Sequence, residues 1–166
     1  MPGTAASVVI GIGNVFRRDD GVGWAVIEAL RDDTVALPPS TELRESAGDP
    51  AQLMDMWENS RRAVVVDACF PPRPRPGRVH RWRPGAGGVP SPVTQEHSTH
   101  GLGLVHALRL AESLGRRAGD MVVYAVEGAD RSMGTGLTPQ VADAVRPLAL
   151  RIAADLARHA GARQGP

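Results

Sequence analysis

The sequence predicts an α/β fold, a mostly parallel twisted sheet covered by helices on both faces, and three observations carry that prediction. The runs "SVVIGI" (7–12), "AVVVDA" (63–68) and "MVVYAV" (121–126) have the β-branched, uninterrupted apolarity of strands buried on both sides. Segments with apolar residues at helical spacing separate these runs. Strand–helix alternation along one chain requires crossover connections, and crossovers give parallel pairing with helices against the sheet.

Each element follows in order. After the first strand, Val22, Ala25, Val26, Ala29 and Leu30 mark a helix, with Asp19 or Asp20 as its expected N-cap. "TELRES" (41–46) is a weaker strand. "DPAQLMDMWENS" (49–60) opens with Asp49 as a cap and Pro50 at the first helical position, where proline's missing N–H costs nothing. Within the Pro/Gly-rich stretch 70–92, "RVHRWR" alternates like an edge strand. "STHGLGLVHALRLAESLG" (98–115) is a helix capped by Ser98 or Thr99. The last helix, 137–160, starts from Thr138 and Pro139, and Pro147 is expected to kink or divide it. There is no internal repeat, and residues 1–166 read as a single domain.

Composition narrows the functional classes. The formal net charge is +1, with no basic stripe for nucleic acid. There is no lysine, which removes Schiff-base and Walker-lysine chemistry. The single cysteine, Cys69, cannot form an internal disulfide and fits a reducing cytoplasm. No apolar run approaches the roughly 18 residues that a membrane span needs, and the opening residues lack the pattern of a signal peptide.

Ligands in such sheets gather beyond the carboxyl ends of the strands. There the first strand leads to Asp19 and Asp20, the strand at 63–66 ends in Asp67, and the strand at 121–126 ends in Glu127 with Asp130 beyond. His100 opens the helix that feeds that last strand. The opening "GIGNVFRRDDGVG" (11–23) resembles a nucleotide-binding turn, but Phe16 stands where the third glycine belongs, and two carboxylates occupy the helix start where a phosphate would sit. Two aspartates and a histidine instead form a donor set suited to nickel, zinc or a similar divalent ion, with open positions. Each also has a structural reading: a cap for Asp20, a turn closure for Asp67, a carbonyl contact for His100. His97 falls just before the helix, His106 reads as a partly buried structural histidine, and His80 and His159 read as solvated. Cys69 is a candidate nucleophile only if a base such as His100 reaches it.

Taken together, "GIGNVFRRDDGVG", "VVVDA" and "STHGLGL" followed by "AESLG" resemble the nickel–iron hydrogenase maturation endopeptidases. The resemblance runs from the first strand through the last helix. It implies a three-layer α/β/α sandwich of the phosphorylase/hydrolase-like kind. It also implies removal of a C-terminal extension from a hydrogenase large-subunit precursor once nickel has been inserted. Asp20, Asp67 and His100 correspond to the family's metal-contacting, catalytic positions; the nickel is carried by the substrate, and zinc or cadmium can take its place. The implied protein is a cytoplasmic monomer that meets its precursor transiently, without nucleic acid or membrane. In many relatives a glutamate stands where this chain has Asp20, and "ESAGDP" (45–50) is the nearest match to an acidic, glycine-containing family segment. Asp19, Glu127 and Asp130 are candidates for orienting His100 or a water. The alternatives are a non-catalytic metal- or partner-binding module and a nucleotide-binding α/β domain.

Overall fold

The structure, a computed structural model, describes residues 6–85 and 99–162, with the side chains of residues 99–102 outside that description. Five strands form one sheet: β1 (Ser7–Ile12), β2 (Thr41–Ser46), β3 (Arg62–Cys69), β4 (Val79–Trp82) and β5 (Asp120–Glu127). Their order is β2-β1-β3-β5-β4. The first four in that order are parallel, and β4 pairs antiparallel with β5 at the edge. This is the mixed, mostly parallel sheet expected from the alternation of strands and helices.

The helices are α1 (Val22–Leu30), α2 (Pro50–Trp57), α3 (Thr99–Leu114) and α4 (Pro139–Gly161), with a short 3-10 turn at Arg18–Gly21 before α1. β3 is buried along its whole length, as its continuous apolar run requires. Its side chains alternate between two cores. Val64 and Val66 pack with α1 and α4, while Ala63 and Val65 pack with α2 and α3. One sheet between two helical layers gives the three-layer sandwich.

Several local expectations hold. The Asp49 carboxylate accepts from the Gln52 N–H at 2.9 Å, capping α2 with Pro50 in its first turn. Others are corrected. Gly21, not an aspartate, stands at the N-cap of α1, with no side-chain cap bond. Thr138 has extended N-cap geometry before α4, but its hydroxyl bonds Asp19 instead of capping the helix. Of the two outcomes expected at Pro147, division does not occur: α4 runs on through it. It sits on the exposed face, where water can take the carbonyl that loses its partner. Ser98 and His97 lie outside the described residues. His106 is exposed, because it falls between the buried pairs Leu104–Val105 and Ala107–Leu108.

The amino edge of the sheet is locked by a group that residue types alone did not reveal. Arg62 is 2% exposed, and its guanidinium donates to Asp120 and, at 2.6 Å, to Asp155 of α4. Burial opposes the charge on Asp155, yet Arg62 outweighs it and holds the carboxyl below the usual aspartate range. His159 joins this group, with Nδ1 3.4 Å from the Arg62 guanidinium. The chemistry is sought at the opposite, carboxyl edge.

Candidate functional site

Glycines build the carboxyl edge by letting backbone approach backbone. A Cβ on Gly23 would stand 2.3 Å from the Ile12 carbonyl oxygen and 2.7 Å from that of Val66. A Cβ on Gly11 would stand 2.3 Å from the Gly23 oxygen, and one on Gly13 2.5 Å from the Asp20 oxygen. None of these glycines has a positive φ. Their role in 11–23 is close packing of backbone on backbone. The result is that the first turn of α1 lies directly on the ends of β1 and β3. The 3-10 turn before it packs against β3.

That packing sets Asp20 beside the strand end that carries Asp67. The Asp20 N–H donates to the Arg17 carbonyl at 3.0 Å, and the Asp20 carbonyl accepts from Asn14 at 3.2 Å. Asp20 is 4% and Asp67 3% exposed. Asp67 continues the alternation of Ala63 and Val65, so it projects from the face covered by α2 and α3. Its Oδ1 accepts from the Ala68 N–H at 2.8 Å. His100 falls in the first turn of α3, whose axis is brought to this edge by Gly103. A Cβ there would stand 2.2 Å from the Gly48 carbonyl oxygen, in the loop after β2. The His100 side chain lies outside the described residues, and no cluster of three metal-binding groups occurs among the described residues.

Asp19 has a different task from its neighbour. It is fully buried, and its carboxylate accepts from the N–H groups of Ala129 (2.8 Å), Asp130 (3.0 Å) and Thr138 (2.7 Å). It also accepts from the Thr138 hydroxyl. Asp19 thus ties the loop after β5, and the start of α4, to the loop after β1. Glu127 accepts from the Arg75 N–H, in the loop before β4, at 3.0 Å and meets His80 Nε2 of β4 at 2.8 Å. Burial raises its pKa, but these contacts and Arg78 outweigh burial and hold the carboxyl below its usual range. Asp130 closes a local turn with Ser132 and pairs with Arg18. These three acids are spent on loop structure. His80, expected to be solvated, is half-buried against Glu127.

Cys69 is buried next to this edge. Burial first, then the charges of Glu127 and Asp67, push its thiol up to about 12. A thiol so far from ionisation is a poor nucleophile at neutral pH, which disfavours the cysteine-hydrolase chemistry weighed from sequence.

Comparison with known proteins places this geometry. The model of the hydrogenase maturation protease (HycI) family matches residues 25–155. The chain belongs to the hydrogenase maturation protease family. The matched residues include Asp67 and His100 and begin just after Asp20. The chain is 26% identical over 149 residues to the hydrogenase 2 maturation protease of Escherichia coli, covering 90% of this chain and 89% of that protein. Its fold is similar to that of the hydrogenase maturating endopeptidase HybD from E. coli, with a TM-score of 0.77, 23% identity and 93% of each chain covered. The maturation protease HybD from Thermococcus kodakarensis aligns with a TM-score of 0.67 and 21% identity over 90% of this chain and 97% of that one. The maturation protease described here is therefore a peptide hydrolase by family. No helix among its described residues is long and apolar enough to cross a membrane.

Proposed function

We propose that this protease removes the C-terminal extension of a nickel–iron hydrogenase large-subunit precursor after nickel insertion, with Asp20, Asp67 and His100 binding the nickel that the precursor carries. The observation that carries the reading is a pair of carboxylates, each under 5% exposed, on adjoining elements at the ligand-binding edge of the sheet. Two carboxylates and an imidazole are a donor set for a borderline divalent ion, and they leave positions open for the substrate's own ligands. Zinc or cadmium would bind the same donors in the free protein.

In this reading the nickel acts as a checkpoint. A metallated precursor gains binding energy at Asp20, Asp67 and His100, and that energy places its scissile bond in the cleft. Held by Asp20, Asp67 and His100, such an ion would also supply Lewis acidity that could polarise a carbonyl or a water beside it. Aspartate at position 20 is one methylene shorter than the glutamate of many relatives and remains an oxygen donor. The protease acts as a cytoplasmic monomer that meets its precursor transiently. A lone, buried, unpaired cysteine suits that compartment.

The test compares Asp20→Asn, Asp67→Asn and His100→Ala with the wild type on a nickel-loaded precursor. Each variant should lose processing by at least a hundredfold with its unfolding midpoint nearly unchanged. A fully folded Asp67→Asn protein that trims the precursor at the wild-type rate would refute the three-ligand reading.

A further inference from the structure

The face of the sheet that carries Asp67 also carries a polar pair that the nickel-binding reading does not use. Along β5, Val123 packs with α2 and α3, so Ala125 and Glu127 project to that same side. On β4, Trp82 packs against the same core, and His80, two residues earlier, shares its face. Strand register sets these residues in one row. Asp67 of β3 pairs with Ala125 of β5, and Ala125 pairs with His80 of β4. Two strand spacings put the Asp67 and His80 Cα atoms roughly 10 Å apart. Only the Ala125 methyl stands in the row between them. Cys69 pairs with Glu127, and beyond burial the charges of Glu127 and Asp67 both raise its thiol, so both carboxylates lie near it.

The hydrogen bonds of the pair assign its protons. Glu127 is 4% exposed, and although burial opposes its charge, the Arg75 N–H, His80 and Arg78 keep it ionised at neutral pH. A carboxylate only accepts, so His80 Nε2, which meets Glu127 Oε2 at 2.8 Å, carries the proton of the ring. The loop's backbone contact uses the other oxygen: Oε1 accepts from Arg75 and steadies the carboxylate that orients the imidazole. In the neutral ring Nδ1 is then a bare acceptor. It has no hydrogen-bond partner among the described residues and is not one of their buried unpartnered atoms, so water reaches it. An imidazole oriented by a carboxylate, with its other nitrogen open to water, is the arrangement of a general base.

We infer that His80 is the general base of this protease, held in the required tautomer by Glu127. The inference rests on peptide hydrolysis at the Asp67 edge, as proposed above. Nδ1 takes a proton from a water as the water oxygen bonds to the scissile carbonyl carbon. The ring then gives that proton to the amide nitrogen as the carbon–nitrogen bond breaks. The products are a carboxylic acid and an amine, and the ring returns to its starting state. Asp20, Asp67 and His100 hold the precursor through its metal, while His80 moves the proton.

His80→Gln separates this role from a structural one, because its side-chain amide still donates to Glu127 but has no basic nitrogen. Single-turnover cleavage of a nickel-loaded large-subunit precursor, followed by intact mass at saturating protease, should slow by about a hundredfold or more. The dissociation constant for the precursor and the unfolding midpoint should stay at their wild-type values. Proton–nitrogen correlation NMR of the histidine rings in the free protein, at mildly alkaline pH and assigned by comparison with His80→Gln, should show a protonated Nε2 and a bare Nδ1 at His80. A His80→Gln rate within threefold of wild type overturns the inference, and so does an Nδ1-protonated ring. Absence of cleavage by wild type and variant alike refutes the protease reading itself, whereas an active wild type beside an equally active variant refutes the base alone.

Discussion

Asp19 and Asp20 are adjacent, chemically identical and both buried, yet Asp19 is held by hydrogen bonds that tie loops together while the proposed role of Asp20 is to bind the substrate's nickel, a difference that Asp19→Asn exposes. Asp19 Oδ1 accepts from the Thr138 N–H, and Oδ2 accepts from the N–H groups of Ala129 and Asp130. An asparagine has one acceptor oxygen. If its oxygen keeps Ala129 and Asp130, its NH2 faces the Thr138 N–H; turned the other way, it faces two donors. One or two backbone donors are left without a partner in either case. At roughly 1–3 kcal/mol for each such donor, and with some recovery by water because the loop is only part-buried, the loss should be about 2–4 kcal/mol. At roughly 2–4 °C per kcal/mol for a chain of this size, the Tm should fall by roughly 4–16 °C. Urea unfolding of wild type, Asp19→Asn and Asp20→Asn provides the assay. Asp19→Asn should lose most of that stability, whereas Asp20→Asn should lose little stability and most of its processing. A loss below about 1 kcal/mol for Asp19→Asn would refute the clamp.

The other predictions concern packing, the thiol and pH. Gly23→Ala should destabilise by about 3 kcal/mol or more, or fail to fold, because its Cβ would meet two backbone oxygens and not a movable side chain; a normal urea midpoint would contradict the close-packing role. Cys69→Ala should leave processing within twofold of wild type, and iodoacetamide should label native Cys69 far more slowly than the unfolded chain, as mass spectrometry would show. Glu127 has a folded pKa below its ordinary value of 4.5. Its contribution to stability is therefore present above that value and lost as the pH falls through the lower folded value. The stability gap between wild type and Glu127→Gln should be full at pH 7 and shrink below about pH 4; a gap that is the same at pH 7 and pH 3.5 would show that Glu127 is not held by Arg75, His80 and Arg78.

How much of this was legible follows from the reach of each signal. β3 and β5 were legible because their signal is local and continuous, and the Asp49 cap because its partner lies three residues away. The parallel order of strands followed from the crossovers, and with it the placement of Asp20 and Asp67 at the carboxyl edge of the sheet. Sequence could not separate Asp19 from Asp20, since the donors that occupy Asp19 lie more than a hundred residues away in the loop before α4. His80 read as solvated because Glu127 reaches it only across the β4–β5 pair. Arg62 carries no local sign of burial, because its two carboxylates come from β5 and α4. The glycines were seen, but their purpose was not: whether a glycine serves a turn or a close contact depends on what packs on it.

The central claim is that this protease reads the nickel in its substrate before cutting. The intact mass of a candidate large-subunit precursor, incubated with the protease with and without nickel loading, tests it most directly. A defined C-terminal loss in the nickel-loaded sample alone is the predicted result. Equal cleavage of the nickel-free precursor would contradict it.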